Sequence, residues 1–330
     1  MNPKTTFIFF LLFIFFLDSK AQDMQPRRLI FDTDMGPDYD DVGAIAMLHA
    51  FADQGKIEIL ATIASTKYEG VAGVIDVLNT YFHRPELPIG VPIAEAKEQK
   101  DNQHWTDSLL ANYPHRIQKN EETPDAVALY RKILASQPDA SVTIVTVGFL
   151  TNISNLLQSA PDEYSELNGL ELVNKKVVKL VSMAGKFPEG SEFNVNQDPL
   201  ASQYVTANWP KPIVYSGFEI GEQIHTGIPL IHNKKIQDSP VKDVFAISIP
   251  LAEEDRSGRM SWDQTAVYVA ALGHEKYFDL EEGKMIVAAD GFNTWDTSGK
   301  GQFKLVGKDN MMGIEKEINR LMMHQPIKKK

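Results

Sequence analysis

The chain contains no cysteine. That excludes disulfides, thiolate metal sites and a lipid-modified cysteine together. Positive charge is also short. The 33 Lys and Arg stand against 44 Asp and Glu, a formal net charge of −11, which argues against a nucleic-acid partner because such binding needs a basic surface. Long apolar runs are absent except for Phe7 to Leu17, which follows Lys4 and precedes Ala21. That run is shorter than the roughly 18 residues needed to span a bilayer. A positive start, a short apolar centre and a small residue before the cut are the pattern of a secretory signal peptide. Residues 1–21 are therefore expected to be removed, leaving an exported chain, periplasmic or secreted, with no membrane attachment after cleavage. The basic end Lys328 to Lys330 reads as a solvated tail.

What is present is ordinary for a globular enzyme: 43% hydrophobic and 23% charged residues. No repeat or low-complexity linker divides the chain, so residues 22–330 are expected to form one domain. Short apolar runs alternate with helical patterns. Leu29 to Phe31, Ile57 to Ile63, Pro88 to Ile93, Ser141 to Val147, Val177 to Met183 and Ile213 to Tyr215 read as strands. Asp40 to Gln54, Glu69 to Phe82, Pro124 to Ser136, Asp198 to Ala207 and Asp263 to Leu272 read as helices, with a further helix opening at Thr151 or Asn152 as its cap. This rhythm predicts an α/β fold with an open, mostly parallel, Rossmann-like sheet and helices on both faces. Met285 to Ala289 and Phe303 to Val306 are expected to pair as a late hairpin. The polar segment Ala94 to Thr123 interrupts the rhythm, and is long enough to be a lid or plain surface decoration.

The densest chemistry is Asp32-Thr33-Asp34-Met35-Gly36-Pro37-Asp38-Tyr39-Asp40-Asp41, five carboxylates on a turn from strand to helix. Open α/β sheets build their sites at such turns. Five like charges this close repel one another, and a bound cation explains why they are tolerated. One or two acids would suffice to favour a helix N-terminus. An EF-hand loop would need Gly sixth and Glu twelfth, whereas these positions are Pro37 and Gly43. An aspartyl-phosphate phosphatase of the haloacid dehalogenase type also starts with Asp-x-Asp at a strand end, but would leave Asp40-Asp41 unused.

The turn resembles the N-terminal signature of the inosine–uridine-type nucleoside hydrolases, Asp-x-Asp-x-Gly, a spacer, then Asp-Asp. Later pieces follow in that family's order: Val147-Gly148-Phe149-Leu150-Thr151-Asn152, then Glu192-Phe193-Asn194 with Asp198-Pro199, then Trp262-Asp263 before a helix. The resemblance implies a Ca²⁺ held by Asp34, Asp41, Asp263 and the main-chain carbonyl of Val147. The ion would orient two ribose hydroxyls and acidify a water, with Asp34 as its general base. Asp40 would bond a ribose hydroxyl, and Glu192 and Asn194 would grip the rest of the sugar. A carboxylate-rich site suits the positive charge that builds on the ribosyl ring as the C1′–N bond breaks. The implied reaction releases ribose and a free base from a ribonucleoside or related ribosyl compound, and the family often forms homodimers or homotetramers.

The departures bear on substrate. The spacer Pro37-Asp38-Tyr39 is longer than the minimal family form. Ser65-Thr66 stands where the family has an Asn, and the stretch from Gly185 to Glu192 is short. Trp262 occupies the place of the histidine thought to protonate the leaving base, and an indole has no titrating proton to give. It is expected to stack on a base or to pack as core. His104, His115 and His225 are the candidates for a proton from elsewhere. The same departures leave open a second reading, a metal-dependent nucleoside- or sugar-binding protein without turnover.

Overall fold

The structure is a computed structural model and describes residues 25–93 and 95–327. The expected signal peptide, its cleavage point and the basic C-terminal tail lie outside the described residues.

The strands are β1 (Arg27–Thr33), β2 (Ile57–Ala64), β3 (Ile89–Gly90), β4 (Val142–Thr146), β5 (Val177–Met183), β6 (Glu189–Ser191), β7 (Ile213–Ser216), β8 (His225–Thr226), β9 (Arg259–Met260), β10 (Phe278–Val287), β11 (Phe292–Asp296) and β12 (Gln302–Gly307). Ten of them form one sheet in the order β3-β2-β1-β4-β5-β7-β12-β10-β11-β6, while β8 pairs with β9 apart from it. The strands from β3 to β12 in that order run parallel, and β10, β11 and β6 add antiparallel pairings. Alternation along β1 explains why it is buried on both sides. Leu29 and Phe31 enter one core and Ile30 the other. The expected α/β sheet with helices on both faces is thus what the chain forms.

The chain leaves β1 toward β2 and β3, and later returns to lay β4 on the opposite side of β1. The order therefore reverses between β1 and β4, and a crevice opens beyond their C-terminal ends. The helix Asp40–Asp53 starts there and is buried on all sides from Asp40 to Phe51. Two glycines set the spacing. A Cβ on Gly43 would lie 2.5 Å from Gln264 Nε2, so glycine lets the helix Trp262–Leu272 lie close against this one. A Cβ on Gly148 would lie 2.4 Å from the Asp34 backbone nitrogen, so glycine lets the turn after β4 press against the acidic turn.

Several expectations change. Phe303 to Val306 pairs with Asp279 to Glu282, not with Met285 to Ala289; Met285 to Val287 pairs instead with the Asn293–Trp295 stretch of β11. These strands alternate buried and exposed residues at the sheet's antiparallel end, so their apolar signal is diluted. The segment 95–123 is no open lid. It carries the helix Trp105–Asn112, and Trp105, Thr106 and Leu109 are fully buried. Thr151 and Asn152 lie inside their helix and do not cap it. Thr151 Oγ1 donates to Asp198 Oδ2 at 2.6 Å, and Asn152 Nδ2 donates to Asp32 Oδ2 at 3.0 Å. Asp198 does cap the helix Pro199–Asn208, with proline at its start as expected. Among the described residues no helix is long and apolar enough to cross a membrane.

His49, two turns along the helix from the acidic turn, makes acid stability testable. It is fully buried, stacks on Phe82 at 4.6 Å and lies 3.1 Å from Asn79 Oδ1. Burial pushes its imidazole down from 6.5 to about 3. The unfolded chain then takes up a proton below pH 6.5 that the folded chain refuses. Stability from this group is complete above pH 6.5 and is lost as pH falls toward 3. Between pH 7.5 and 5.0 the loss is about 2 kcal/mol. Urea unfolding of His49→Gln is expected to show that much less acid sensitivity than the parent chain; an unchanged pH slope would refute it.

Candidate active site

The acidic turn leaves β1 with its side chains already alternating. Asp32 points into the second core, where its Oδ2 accepts from Tyr130 Oη at 2.8 Å and Asn152 Nδ2 at 3.0 Å. Burial lifts its carboxyl to about 7. It ties the end of β1 to two helices and braces the turn. Thr33 Oγ1 donates to Asp41 Oδ1 and also accepts from the Met35 backbone N–H at 3.1 Å, folding the turn back onto the helix start.

Asp34, Asp40 and Asp41 are all buried around one cavity. Asp263 joins them from the first turn of the helix Trp262–Leu272, and its backbone N–H donates to Asp40 Oδ2 at 3.2 Å. Asp40, Asp41 and Asp263 each bring a carboxylate oxygen within 4.8 Å of the others, a spacing that could hold a metal ion. Asp34 lines the same cavity outside that trio. The carboxyls of Asp34, Asp40 and Asp263 are pushed well up, by burial first and then by their like-charged neighbours, and Asp41 rises to about 7 through burial.

Their hydrogen bonds divide the set. Asp34 Oδ2 and Asp41 Oδ2 are buried with no partner among the described residues. Both Asp40 oxygens are engaged, one by Arg259 and the other by the Asp263 N–H. Unpartnered buried carboxylate oxygens are costly unless an ion or bound molecule completes them. Hard oxygen donors at this spacing fit a divalent cation. Val147, just past the end of β4, lines the same cavity, and the resemblance makes its carbonyl the fourth ligand. That carbonyl accepts from Asn194 Nδ2 at 2.9 Å, which fixes its direction.

Glu192 and Asn194 reach the cavity, but much of their polarity is spent on the backbone. Glu192 caps the helix Phe193–Gln197, taking the N–H groups of Asn194 at 2.8 Å and Val195 at 3.1 Å, and also that of Gly185 at 3.1 Å. Asn194 Nδ2 also reaches the Met183 carbonyl at 3.2 Å. Trp262 forms a wall. Its ring lies 5.2 Å from Phe218, and its Nε1–H donates to the Phe218 carbonyl at 2.8 Å. Phe193, Met183 and Met260 complete the apolar lining of a cavity of about 250 Å³, small-molecule in scale.

None of the histidines offered as proton donors lines this cavity. His104 is exposed against Asp107, His115 bonds the Tyr113 carbonyl, and His225 lies on β8. Ser65 and Thr66 serve the loops, Ser65 Oγ accepting from the Phe149 N–H and Thr66 Oγ1 donating to the Lys97 carbonyl. Sequence reasoning misses Arg259, which lines the cavity from β9. Its guanidinium pairs with Asp38, bonds Asp40 at 3.0 Å and stands 3.6 Å from Asp255. Asp38, unassigned by sequence, belongs to this ion pair.

A profile of the inosine-uridine preferring nucleoside hydrolases matches residues 29–310. The chain belongs to that family. Nucleoside hydrolases act on N-glycosyl bonds, which places this chain among the hydrolases of small-molecule nucleosides. The chain is 27% identical over 233 residues to the pyrimidine-specific ribonucleoside hydrolase RihA of Salmonella agona, covering 66% of this chain and 68% of the relative. In fold it matches an inosine-guanosine nucleoside hydrolase at a TM-score of 0.71 and 20% identity, over 91% of this chain and all of that one. A purine-preferring ribonucleoside hydrolase from Gardnerella vaginalis matches at 0.67 and 17% identity, over 90% and 99%. At those identities the likeness speaks for the nucleoside hydrolase fold.

Proposed function

We propose that this chain hydrolyses the N-glycosidic bond of a ribonucleoside, releasing ribose and the free base, and that it uses Ca²⁺. The observation that carries this is the pair of unpartnered buried oxygens on Asp34 and Asp41, residues that line one cavity together with Asp263 and Val147. The ion is assigned to Asp34 and Asp41, whose buried Oδ2 atoms lack partners among the described residues, with Asp263 and the Val147 carbonyl as the family resemblance implies. Asp40, although it shares the close spacing with Asp41 and Asp263, has both oxygens in hydrogen bonds and is assigned to a ribose hydroxyl through its remaining lone pairs. Bound there, Ca²⁺ would supply a Lewis acid that orients the sugar hydroxyls and makes water more acidic.

Asp34 takes the proton of the attacking water. Glu192 keeps acceptor capacity on Oε1 for a sugar hydroxyl, and Asn194 holds the Val147 carbonyl in place. The surrounding carboxylates stabilise positive charge on the ribosyl ring as the C1′–N bond breaks. Phe218 and Trp262 form the apolar wall for the base, where stacking favours a flat aromatic group. The relatives include both pyrimidine-specific and purine-preferring enzymes, so the base is left to measurement. The N-terminal pattern supports an exported location.

Chromatography of purine and pyrimidine ribonucleosides incubated with the protein, with Ca²⁺ or with chelator, is expected to show ribose and free base only when Ca²⁺ is present. Tight binding without base release over long incubation would favour a binding protein instead.

A further inference from the structure

Among the described residues that line the cavity Arg259 is the one cation, beside many carboxylates and no histidine; Lys186 Nζ, outside that lining, stands 4.8 Å from the Phe218 ring centre. Arg259 sits three residues before Trp262, against the wall that the base is expected to meet. Its guanidinium carbon lies 4.9 Å from the Tyr39 ring centre and 4.9 Å from that of Trp262. Nε and Nη2 are committed to Asp40, and Nη2 also to Asp38. Nη1 differs. Its carboxylate neighbour, Asp255 Oδ2, is 3.6 Å away, beyond hydrogen-bonding distance, and it makes no hydrogen bond among the described residues. Asp255 Oδ2 accepts from Tyr39 Oη at 2.5 Å, while its Oδ1 is buried without a partner among the described residues. Arg259 lines the cavity with its guanidinium oriented by Asp38 and Asp40, and Nη1, ion-paired with Asp255 at 3.6 Å, is its one nitrogen without a hydrogen bond among the described residues.

We propose that Arg259 is the leaving-group residue of this site, donating from Nη1 to an acceptor atom of the departing base. This rests on the N-ribohydrolase reading above. As the C1′–N bond breaks, its electron pair goes to the base. Water forms the new C1′–O bond and yields its proton to Asp34. The base departs as an anion stabilised by the guanidinium and is then protonated by solvent. No titrating acid is needed, so Trp262 can occupy the position where one is expected. Asp38, held in the lengthened spacer, fixes the guanidinium by pairing with Nη2.

The test compares substrates that do and do not need leaving-group help. Steady-state rates would be measured on inosine, uridine and p-nitrophenyl β-ribofuranoside, whose phenolate leaves unaided, with Ca²⁺ present. For Arg259→Gln, kcat on the nucleosides is expected to fall about 10²-fold or more, with less than about a tenfold loss on the aryl riboside. Arg259→Lys, which keeps charge but not the fork, should fall between, and it decides the matter if the glutamine variant does not fold. Equal losses on all three substrates would mean that Arg259 only positions Asp38 and Asp40, and would overturn the assignment. So would unchanged nucleoside rates, or a parent enzyme that cleaves the aryl riboside alone. A parent enzyme that cleaves none of the three would instead sink the N-ribohydrolase reading itself.

Discussion

Asp34→Asn is expected to lower kcat on a cleaved nucleoside about 10³-fold, within the span attributed to a positioned general base. The asparagine is nearly isosteric and keeps an oxygen for the cation, so Ca²⁺ affinity should weaken rather than vanish. KM should then move far less than kcat at saturating Ca²⁺. That split separates Asp34 from its neighbours. Asp41 and Asp263 are proposed as ligands only, and their loss should be partly recovered by raising Ca²⁺, whereas no Ca²⁺ concentration restores a missing base. The buried position of Asp34, directly after the end of β1 and with one oxygen unpartnered, is what makes it the candidate. Asp32 is the internal control. It is as buried and also has an unpartnered oxygen, but its other oxygen is fixed by Tyr130 and Asn152 on the second core, away from the cavity. Asp32→Asn should lower stability and leave the chemistry largely intact. Rates of Asp34→Asn within tenfold of the parent would remove Asp34 from the mechanism.

The contrast between Asp32 and Asp34 also shows what a sequence can carry. Alternation along β1 puts Asp32 on the face of Ile30, toward the second core, whereas Asp34 lies just past the strand's end and the turn carries it to the cavity. The buried run Leu29 to Phe31 marks the strand, so the place of the turn is legible in the residues themselves. β4 and β5 are legible for the same reason, since parallel strands covered on both faces read as unbroken apolar runs. The antiparallel end is not, because β10 and β11 alternate and their apolar residues thin out. Arg259 is illegible for a different reason. It lies 219 residues from Asp40, in the polar stretch Glu253 to Arg259, which reads as solvated surface. Only the tertiary approach of β9 to the acidic turn gives it a role. The signal that could point to it is Asp38, an acid in a lengthened spacer with no assigned partner. Phe193, Phe218 and Met183 are hidden by the opposite problem, because an apolar residue at a cavity wall and one in a core look alike in sequence.

Removing the divalent ion is expected to abolish turnover and to lower thermal stability together. A ligand at a hundred times its Kd stabilises the folded state by about 2.7 kcal/mol, which in a chain this long corresponds to a rise in Tm on the order of 5 °C. Differential scanning calorimetry in chelator and in Ca²⁺ would read this difference, with Mg²⁺ expected to substitute poorly because it demands a tighter octahedral shell. The variant Asp41→Asn makes the argument sharper. Asp41 Oδ1 accepts from Thr33, which an asparagine oxygen can also do, while its unpartnered Oδ2 faces the carboxylate cluster. Replacing that oxygen with an N–H₂ removes a buried like charge and adds a donor among acceptors. Without ion, the variant should therefore melt at or above the parent chain; with Ca²⁺ it should melt below, and the ion-dependent gain should be largely gone. If the acids only favoured the helix N-terminus, the variant would be less stable in both conditions and neither protein would respond to Ca²⁺. The crossing of the two melting curves is thus the signature of a cluster kept acidic for an ion, at the expense of the ion-free fold.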